Sequence, residues 1–474
     1  MSVDALLNTD IVAVAGAIAS GEVSSERLTA AALERLELIG RPLNAVMEPD
    51  PAALEAAREI DKRRSGGAHL GLLAGVPLAH KDLFYRAGRR CTCGSRIRDR
   101  TIAEVTATVL ARLDRADAIN CGSLALAEFA LSPTGYNEHY GHGRNPWNPD
   151  CCSGGSSHGS GIAVAARLVY GSLGSDTGGS IRYPAAMCGI TGLKPTFGRV
   201  PRTHVMPLAW SLDTIGPLAR SARDCARLLS VIAGPDGSDG HAIAAPVPDY
   251  EAALTGDIRG LRIAVPKRYY YDLVAPQVEA ILAESLAVLR ARGAVIVPTD
   301  VPDMDVINAM MAMVMAVEAA TVHRDGLAER PQDYSEQVRS RIEPGFFYPA
   351  TRYAEALAMR SRLTRAYLDA VLRDADVIHL PALPFPVPTI AETTRGSSAD
   401  VAQAITSVTS CVRAINYLGL PAISVPAGFT PGPLPAAFQL VGRPFDEALL
   451  LRVVDAYQRD TQWHRAVPPA AALG

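Results

Sequence analysis

The stretch Gly174–Arg182, with the sequence Gly-Ser-Asp-Thr-Gly-Gly-Ser-Ile-Arg, is the most informative part of this chain. It places Ser180 at the end of a glycine-rich turn, where glycine permits positive φ angles and a close approach of the backbone. Backbone amides in such a turn can converge on the charge that develops on a carbonyl oxygen. The sequence therefore predicts an oxyanion hole formed by the amides of Thr177, Gly178, Gly179 and Ser180, and it makes Ser180 one candidate for a serine nucleophile.

Two motifs further upstream supply the groups that such a serine needs. The segment 154–157, Gly-Gly-Ser-Ser, carries Ser156 in a second glycine-rich turn, and the segment 75–82, Gly-Val-Pro-Leu-Ala-His-Lys-Asp, carries Lys81. A serine hydroxyl is a poor nucleophile until a base takes its proton. A lysine can act as that base only when it is neutral, and burial lowers the pKa of lysine. Because apolar residues flank Lys81 on both sides, the three motifs together predict hydrolysis without a metal or a catalytic histidine.

These residues resemble the signature of the amidase signature family. The family's signature block is similar to 154–157 and 177–182 and continues into 184–196, and its lysine motif is similar to 75–82. Further similarity lies at 145–148, 419–422 and 435–442, so the resemblance covers nearly the whole chain. The family's fold implies an α/β architecture with three layers, α/β/α, around a large twisted mixed sheet. It also implies a single domain that spans residues 1–474.

The resemblance also implies a role for each residue of the three motifs. Ser180 would be the nucleophile that accepts the acyl group, Ser156 the bridging serine held by a cis peptide bond, and Lys81 the base. One position departs from the family pattern, because His158 stands where a small residue is usual. We expect His158 to pack beside the turn or to line the wall of the cleft.

Composition narrows the class of protein. The chain has 474 residues, of which 48% are hydrophobic and 20% charged, and its formal net charge is −3. This composition indicates a globular protein, and the slightly negative net charge gives no sign of nucleic-acid binding. The eight cysteines fit no zinc-binding pattern, so we expect reduced thiols and neither a metal nor a cofactor. The amino-terminal segment lacks the features of a signal peptide, and the sequence holds no run of 18 apolar residues, so we expect a soluble, cytoplasmic protein.

Two segments are candidates for a substrate pocket. The long loop over 132–155 carries Tyr136 and Tyr140, and it either packs on the surface or forms a cleft wall beside Ser156. The methionine-rich stretch 304–315 includes Met313 and either packs in the core or forms an adaptable apolar pocket wall. From these segments Tyr136, Tyr140 and Met313 are predicted to contact substrate.

Hydrophobic periodicity and helix-end residues predict the main elements. Helices are expected over 24–39, 52–63, 103–115, 277–292 and 447–458. Strands are expected over 72–81, 117–122, 167–176, 260–265, 295–298, 376–380, 422–425 and 436–441. Gly293 just beyond the helix at 277–292 predicts a left-handed helix end and a strand–helix–strand unit.

Two functions are compatible with these motifs. One is a stand-alone amidase that cleaves small, largely apolar amides, with aryl esters and carbamates as further substrates. The other is the glutamine-hydrolysing subunit of an amidotransferase, whose members in this family carry an Asn-Leu-Ala-Arg-(aromatic)-Asp-Gly motif. The comparable segment here, Glu318–Gly326, ends in Arg-Asp-Gly but lacks the rest. The sequence therefore favours the stand-alone amidase, with a small-molecule amide as its partner, no nucleic acid and no membrane; a homodimer is left open.

Overall fold

The computed structural model describes residues 6–272 and 274–472. Its strands, numbered in chain order, are β1 (Val46–Pro49), β2 (Pro77–Lys81), β3 (Ile119–Leu124), β4 (Gly171–Asp176), β5 (Thr191–Lys194), β6 (Thr214–Ala219), β7 (Arg262–Pro266), β8 (Val295–Thr299), β9 (Val377–Pro381), β10 (Ala422–Thr430) and β11 (Leu434–Val441).

The helices are numbered in the same way. They are α1 (Ile11–Ser20), α2 (Ser25–Arg35), α3 (Ala53–Ser65), α4 (Thr108–Arg115), α5 (His158–Ala165), α6 (Arg182–Cys188), α7 (Ala222–Ile232), α8 (Pro276–Ala291), α9 (Met304–Glu329), α10 (Glu336–Ile342), α11 (Ala350–Val371), α12 (Ile390–Thr394), α13 (Ser398–Thr409), α14 (Ala414–Leu418) and α15 (Glu447–Asp460). A π-helical turn, Leu36–Gly40, extends α2. Short 3₁₀ segments lie at Arg96–Arg98, Glu128–Ala130, Pro331–Asp333, Glu343–Phe347, Trp463–Arg465 and Pro469–Ala472.

The described strands form two sheets. The larger has eight strands in the order β4-β6-β5-β10-β11-β9-β7-β8, and the smaller has three in the order β1-β3-β2. In the larger sheet the pairs from β4 to β9 are antiparallel, whereas β9, β7 and β8 run parallel. Helix α8 connects the parallel neighbours β7 and β8, and Gly293 beyond its end has φ +90°. The predicted strand–helix–strand unit is therefore present.

Helices cover both faces of the large sheet. Along β10, Ile423 and Val425 pack into one hydrophobic cluster, which includes side chains of α7, α8 and α15. Their neighbour Ala422 faces a second cluster, which includes side chains of α6, α9 and α11. Because successive strand residues point to opposite faces, the clusters lie on opposite sides of the sheet. The predicted α/β fold around a large mixed sheet is confirmed, while the single domain over residues 1–474 stays a prediction.

Helix α9 is the one described helix that is long and apolar enough, by length and composition, to cross a membrane. Half of its most apolar window is buried inside the protein, and the helix packs against α11 and α14. Its apolar character is therefore explained by core packing, which was one of the two interpretations of the methionine-rich stretch.

A buried ion pair ties the start of α6 to the rest of the large sheet. The Arg182 side chain is fully buried, and its Nε and Nη2 donate to the two carboxylate oxygens of Asp176, each at 3.1 Å. It also donates to the side chains of Asn416 and Gln439 and to the carbonyl of Val412. Burial is the largest single influence and would raise the pKa of Asp176, but Arg182, Lys194 and Asn416 together outweigh it and hold that pKa at about 2. The pair thus fixes both ends of the turn that carries Ser180.

We predict that Arg182→Met lowers the free energy of unfolding by about 3–5 kcal/mol, because it leaves the Asp176 carboxylate buried without its partner. Urea denaturation followed by circular dichroism measures this change. The matched control is Arg259→Met, which removes an exposed ion pair with Asp257 and is expected to change stability by less than about 1 kcal/mol. Equal losses in the two variants would contradict a stabilising role for the buried pair.

Candidate active site

Three segments that are distant in sequence meet where the two sheets adjoin. Lys81 is the last residue of β2 in the small sheet, and Ser156 lies just before α5. Ser180 lies in the turn that connects β4 of the large sheet to α6. The sheets are joined by backbone contacts, since the Tyr170 amide donates to the Pro77 carbonyl at 3.2 Å. The structure therefore brings the three predicted motifs together.

Lys81 is almost completely buried, with 1% of its surface exposed. Its Nζ lies 2.7 Å from Ser156 Oγ and 2.9 Å from Ser175 Oγ. Burial lowers the pKa of Lys81 to about 7, although the carboxylates of Asp176 and Asp213 act in the opposite direction. A large fraction of Lys81 is therefore neutral near pH 7, as a base must be. The peptide bond between Gly155 and Ser156 is cis, as the resemblance implies.

Ser175 is a functional candidate that sequence reasoning missed. It is the second hydroxyl in contact with Lys81 Nζ, and it is buried near the end of β4. The turn that follows, residues 177–181, carries Ser180 and is called the nucleophile turn. The position of Ser175 in the strand that leads into this turn is the only feature that the sequence offers. Its contact with β2 depends on how the two sheets meet, which the sequence does not show.

The turn that carries Ser180 leaves three of the four predicted oxyanion donors free. The Gly179 amide donates to Asp176 Oδ1 at 2.7 Å and is thereby occupied. Within the described ranges, the amides of Thr177, Gly178 and Ser180 have no hydrogen-bond partner. Ser180 is 7% exposed, and no hydrogen bond between described side chains joins it to Ser156. Such contacts often form only when substrate is bound.

The three predicted substrate-contacting residues are each half-buried. Tyr136 is half-buried and stacks on His142, with ring centroids 4.5 Å apart, while the amide of the half-buried Tyr140 donates to Asn137. Met313 is half-buried against the cluster that includes α9 and α11. A substrate contact for Tyr136, Tyr140 or Met313 stays a prediction.

A different methionine borders the nucleophile turn. A Cβ placed on Gly178 would lie 2.9 Å from Met311 Cε. The methionine-rich stretch therefore reaches the turn, although through a residue other than the one that was predicted.

His158 packs beside the turn, as one of its two interpretations required. It is fully buried, and burial lowers its pKa to about 3. Neither ring nitrogen has a hydrogen-bond partner among the described residues. The neutral imidazole is thus enclosed at the start of α5 rather than exposed on a cleft wall.

A cavity of about 320 Å³ adjoins the site. It reaches Ser175 and Asp213, and its apolar wall includes Met206, Leu208 and Trp210. Asp213 accepts hydrogen bonds from the Thr177 hydroxyl and from the amides of Leu208 and Ala209. The cavity therefore ends close to both the lysine and the nucleophile turn.

Among the residues that the structure describes, no group of three or more His, Cys, Asp or Glu side chains could hold a metal ion.

The fold and this site define an enzyme that acts on amide bonds. The Amidase family model matches residues 27–451, and the chain belongs to that family. Among solved structures, it is similar to one described as a vestigial protein complex that reveals the origins of an s-triazine catabolic enzyme, with 32% identity, TM-score 0.88, and coverage of 95% of this chain and 98% of the other. It is also similar to the peptide amidase of Stenotrophomonas maltophilia, with 28% identity, TM-score 0.83, and coverage of 96% and 97%.

The curated relatives point to a more particular class. A glutamyl-tRNA(Gln) amidotransferase subunit from Chloroflexus aurantiacus is 40% identical over 97% of this chain and 98% of its own length. The protein of the same name from Geobacter metallireducens is 36% identical over 94% and 95%.

These relatives overturn two predictions. The interpretation as a stand-alone amidase for small apolar amides, esters and carbamates is wrong, because relatives similar over nearly the whole chain are amidotransferase subunits. The expectation of a small-molecule partner alone, with no nucleic acid and a homodimer left open, is wrong for the same reason. The stand-alone interpretation rested largely on the incomplete motif at 318–326, and an incomplete motif does not exclude an amidotransferase subunit.

The low pKa of Lys81 predicts the pH dependence of activity. Protonated Lys81 cannot accept a proton, so kcat/KM is expected to rise with pH, to be half-maximal near the Lys81 pKa of about 7, and to level off above it. A pH–rate profile between pH 5 and pH 9, with protein stability checked at each pH, measures this. A rate that stays constant down to pH 5, or that falls above pH 7, would contradict Lys81 as the base.

Ser175→Ala is expected to lower kcat about 10- to 100-fold, the scale of one hydrogen bond to a charged group, because Lys81 loses one of its two hydroxyl contacts when it carries the accepted proton. Steady-state kinetics with the purified full chain measure this loss. Ser172→Ala, a buried serine in the same strand that contacts Ser160 instead, is the control and is expected to remain near the parent rate. Equal rates for the parent and Ser175→Ala would show that Ser175 has no part in the reaction.

Proposed function

We propose that this chain is the glutamine-hydrolysing subunit of an amidotransferase and that it supplies ammonia to a protein partner. The observation that carries the proposal is 40% identity to a glutamyl-tRNA(Gln) amidotransferase subunit over 97% of the chain, together with the Lys81–Ser156 contact. The name of these relatives gives the acceptor, a glutamyl group carried by tRNA(Gln), and we extend that acceptor to this chain. Action on a charged tRNA implies a cytoplasmic location.

The first half of the proposed reaction acylates Ser180. Neutral Lys81 accepts the Ser156 proton, and Ser156 accepts the proton of Ser180 as its Oγ attacks the side-chain amide carbon of glutamine. The free amides of Thr177, Gly178 and Ser180 stabilise the oxyanion. Collapse of the intermediate returns a proton through Ser156 to the leaving nitrogen, which departs as ammonia. The product is a γ-glutamyl ester on Ser180.

The second half regenerates the enzyme. Lys81 is neutral again once ammonia has left, so the same pair of side chains can deprotonate a water molecule. The water attacks the ester carbonyl, and glutamate is released with the proton returned to Ser180. Ser175 keeps the Lys81 amine directed at Ser156 throughout, because its hydroxyl is the second hydrogen-bond partner of Nζ.

The incomplete motif at 318–326 lies on α9 and leaves the recognition of glutamine to other residues. Arg324 and Asp325 are exposed and bind each other. His323 is buried against the rings of Phe129 and Tyr334. Since none of these side chains is available at the nucleophile turn, this chain must recognise the polar end of glutamine in a different way.

Glutamine hydrolysis by the full chain tests this proposal. Ser180→Ala is expected to lower the rate more than about 100-fold, and Lys81→Ala and Ser156→Ala by several orders of magnitude, because the three groups act as one unit. The loss in the Lys81→Ala/Ser156→Ala double variant is expected to be no larger than in either single variant. Released ammonia is measured, with Ser160→Ala as the control for a buried serine outside the reaction.

The same assay compares glutamine with a nitroanilide, a nitrophenyl ester and an aryl carbamate. Glutamine is expected to have the highest kcat/KM, and co-expression with a candidate protein partner is expected to yield a stable complex. If any of the other three substrates were preferred over glutamine by tenfold or more, the proposed function would be wrong.

A further inference from the structure

Gly178 is the most exposed residue of the nucleophile turn, and we take it as the entrance to Ser180. It is the one residue between Gly174 and Arg182 that is not buried, whereas Ser180 itself is 7% exposed. Two side chains flank this point. A Cβ on Gly178 would lie 2.9 Å from Met311 Cε and 3.8 Å from Arg413 Cβ.

The backbone around Arg413 is fixed relative to the turn. The carbonyl of Val412 accepts a hydrogen bond from Arg182 at 3.1 Å. Asn416 Nδ2 donates to both the carbonyl and the carboxylate of Asp176, at 2.9 Å and 2.8 Å. Arg413 lies between these two anchors, so its side chain begins at a defined place beside the entrance to Ser180.

The guanidinium of Arg413 is held by neutral groups only. Its Nε donates to Asn308 Oδ1 at 3.1 Å, and Asn308 Nδ2 donates to Tyr269 Oη at 2.7 Å. Tyr269 Oη in turn donates to the carbonyl of Ser410. Throughout 6–272 and 274–472, Nη1 and Nη2 of Arg413 have no hydrogen-bond partner and no carboxylate pairs with this arginine. A permanent cation with two free donors is therefore carried by a side chain whose Cβ lies beside the entrance.

We propose that Arg413 recognises a carboxylate on the substrate and so restricts this site to amides that carry one. Arginine binds a carboxylate through two parallel hydrogen bonds, which need the two free nitrogens that Arg413 retains. Resting on the proposed function, this carboxylate is the α-carboxylate of glutamine. The apolar Met311 on the other side of Gly178 contacts the methylene groups that separate the carboxylate from the amide.

Four substrates separate the contribution of the carboxylate from those of the other groups. Glutamine carries a carboxylate and an ammonium group, the monoamide of glutarate only the carboxylate, 4-aminobutanamide only the ammonium group, and butanamide neither. The full-length Arg413→Met variant is expected to lower kcat/KM about 10- to 100-fold for glutamine and for the glutarate monoamide, which is the range for a hydrogen bond to a charged group. The change is expected mainly in KM, since the carboxylate is remote from the reacting atoms. The other two amides are expected to react at the parent rate, and Arg413→Lys to retain part of the preference.

A second variant tests the same contact without removing the arginine. Asn308→Asp keeps the size of the side chain but gives Arg413 an anion within the protein, which competes with the substrate. It is expected to raise KM for glutamine and for the glutarate monoamide, with little change for butanamide. The matched control is Arg259→Met, which replaces an exposed arginine paired with Asp257. It is expected to leave kcat/KM unchanged for all four amides.

Binding provides a readout that does not depend on turnover. Calorimetry with the full-length Ser180→Ala chain is expected to detect glutamine and the glutarate monoamide, and Ser180→Ala/Arg413→Met is expected to bind both about 10- to 100-fold more weakly. The inference would be overturned if Arg413→Met lowered kcat/KM equally for all four amides or lowered it for none of them. It would also be overturned if the Ser180→Ala chain bound neither glutamine nor the glutarate monoamide. A parent chain that prefers the glutarate monoamide to glutamine, with the preference lost in Arg413→Met, would support Arg413 as the carboxylate contact while refuting glutamine as the substrate.

Discussion

The burial of Lys81 is the constraint on which the rest of the site depends. In water a lysine is protonated at neutral pH and cannot accept a proton. Here it is enclosed where the two sheets adjoin, and burial brings its pKa to about 7. The hydroxyls of Ser156 and Ser175 satisfy its amine without adding a charge. The small sheet thus positions the proposed base, because β2 places the lysine beside the end of β4.

The parts of the site that lie within one motif could be predicted from the sequence. Lys81, Ser156 and Ser180 were predicted from glycine-rich turns, flanking apolar residues and the family resemblance, and helices such as α8 and α15 from their periodicity. The contact of Ser175 with Lys81 and the occupation of the Gly179 amide by Asp176 could not be predicted, since both depend on tertiary geometry. The long helix α11 also went unpredicted, because most of its surface is exposed and its apolar periodicity is weak.

Substrate preference was the part of the function that the sequence misjudged. Methionines and aromatic residues near the site suggested an apolar substrate, but core packing accounts for most of that stretch. The groups beside the entrance come from three distant segments, Gly178, Asn308 and Arg413, and no local pattern joins them. The relatives favour an amidotransferase subunit, and the free guanidinium of Arg413 fits a charged rather than an apolar substrate.

The central claim is that glutamine is cleaved through a γ-glutamyl ester on Ser180. Its most direct test is mass spectrometry of the full chain after acid quenching during turnover with glutamine, followed by peptide mapping. We predict a γ-glutamyl group on the peptide that contains Ser180, its accumulation when water attack is slowed, and its absence in Ser180→Ala. Glutamine turnover with no adduct on that peptide, or with an adduct on a cysteine instead, would contradict the account.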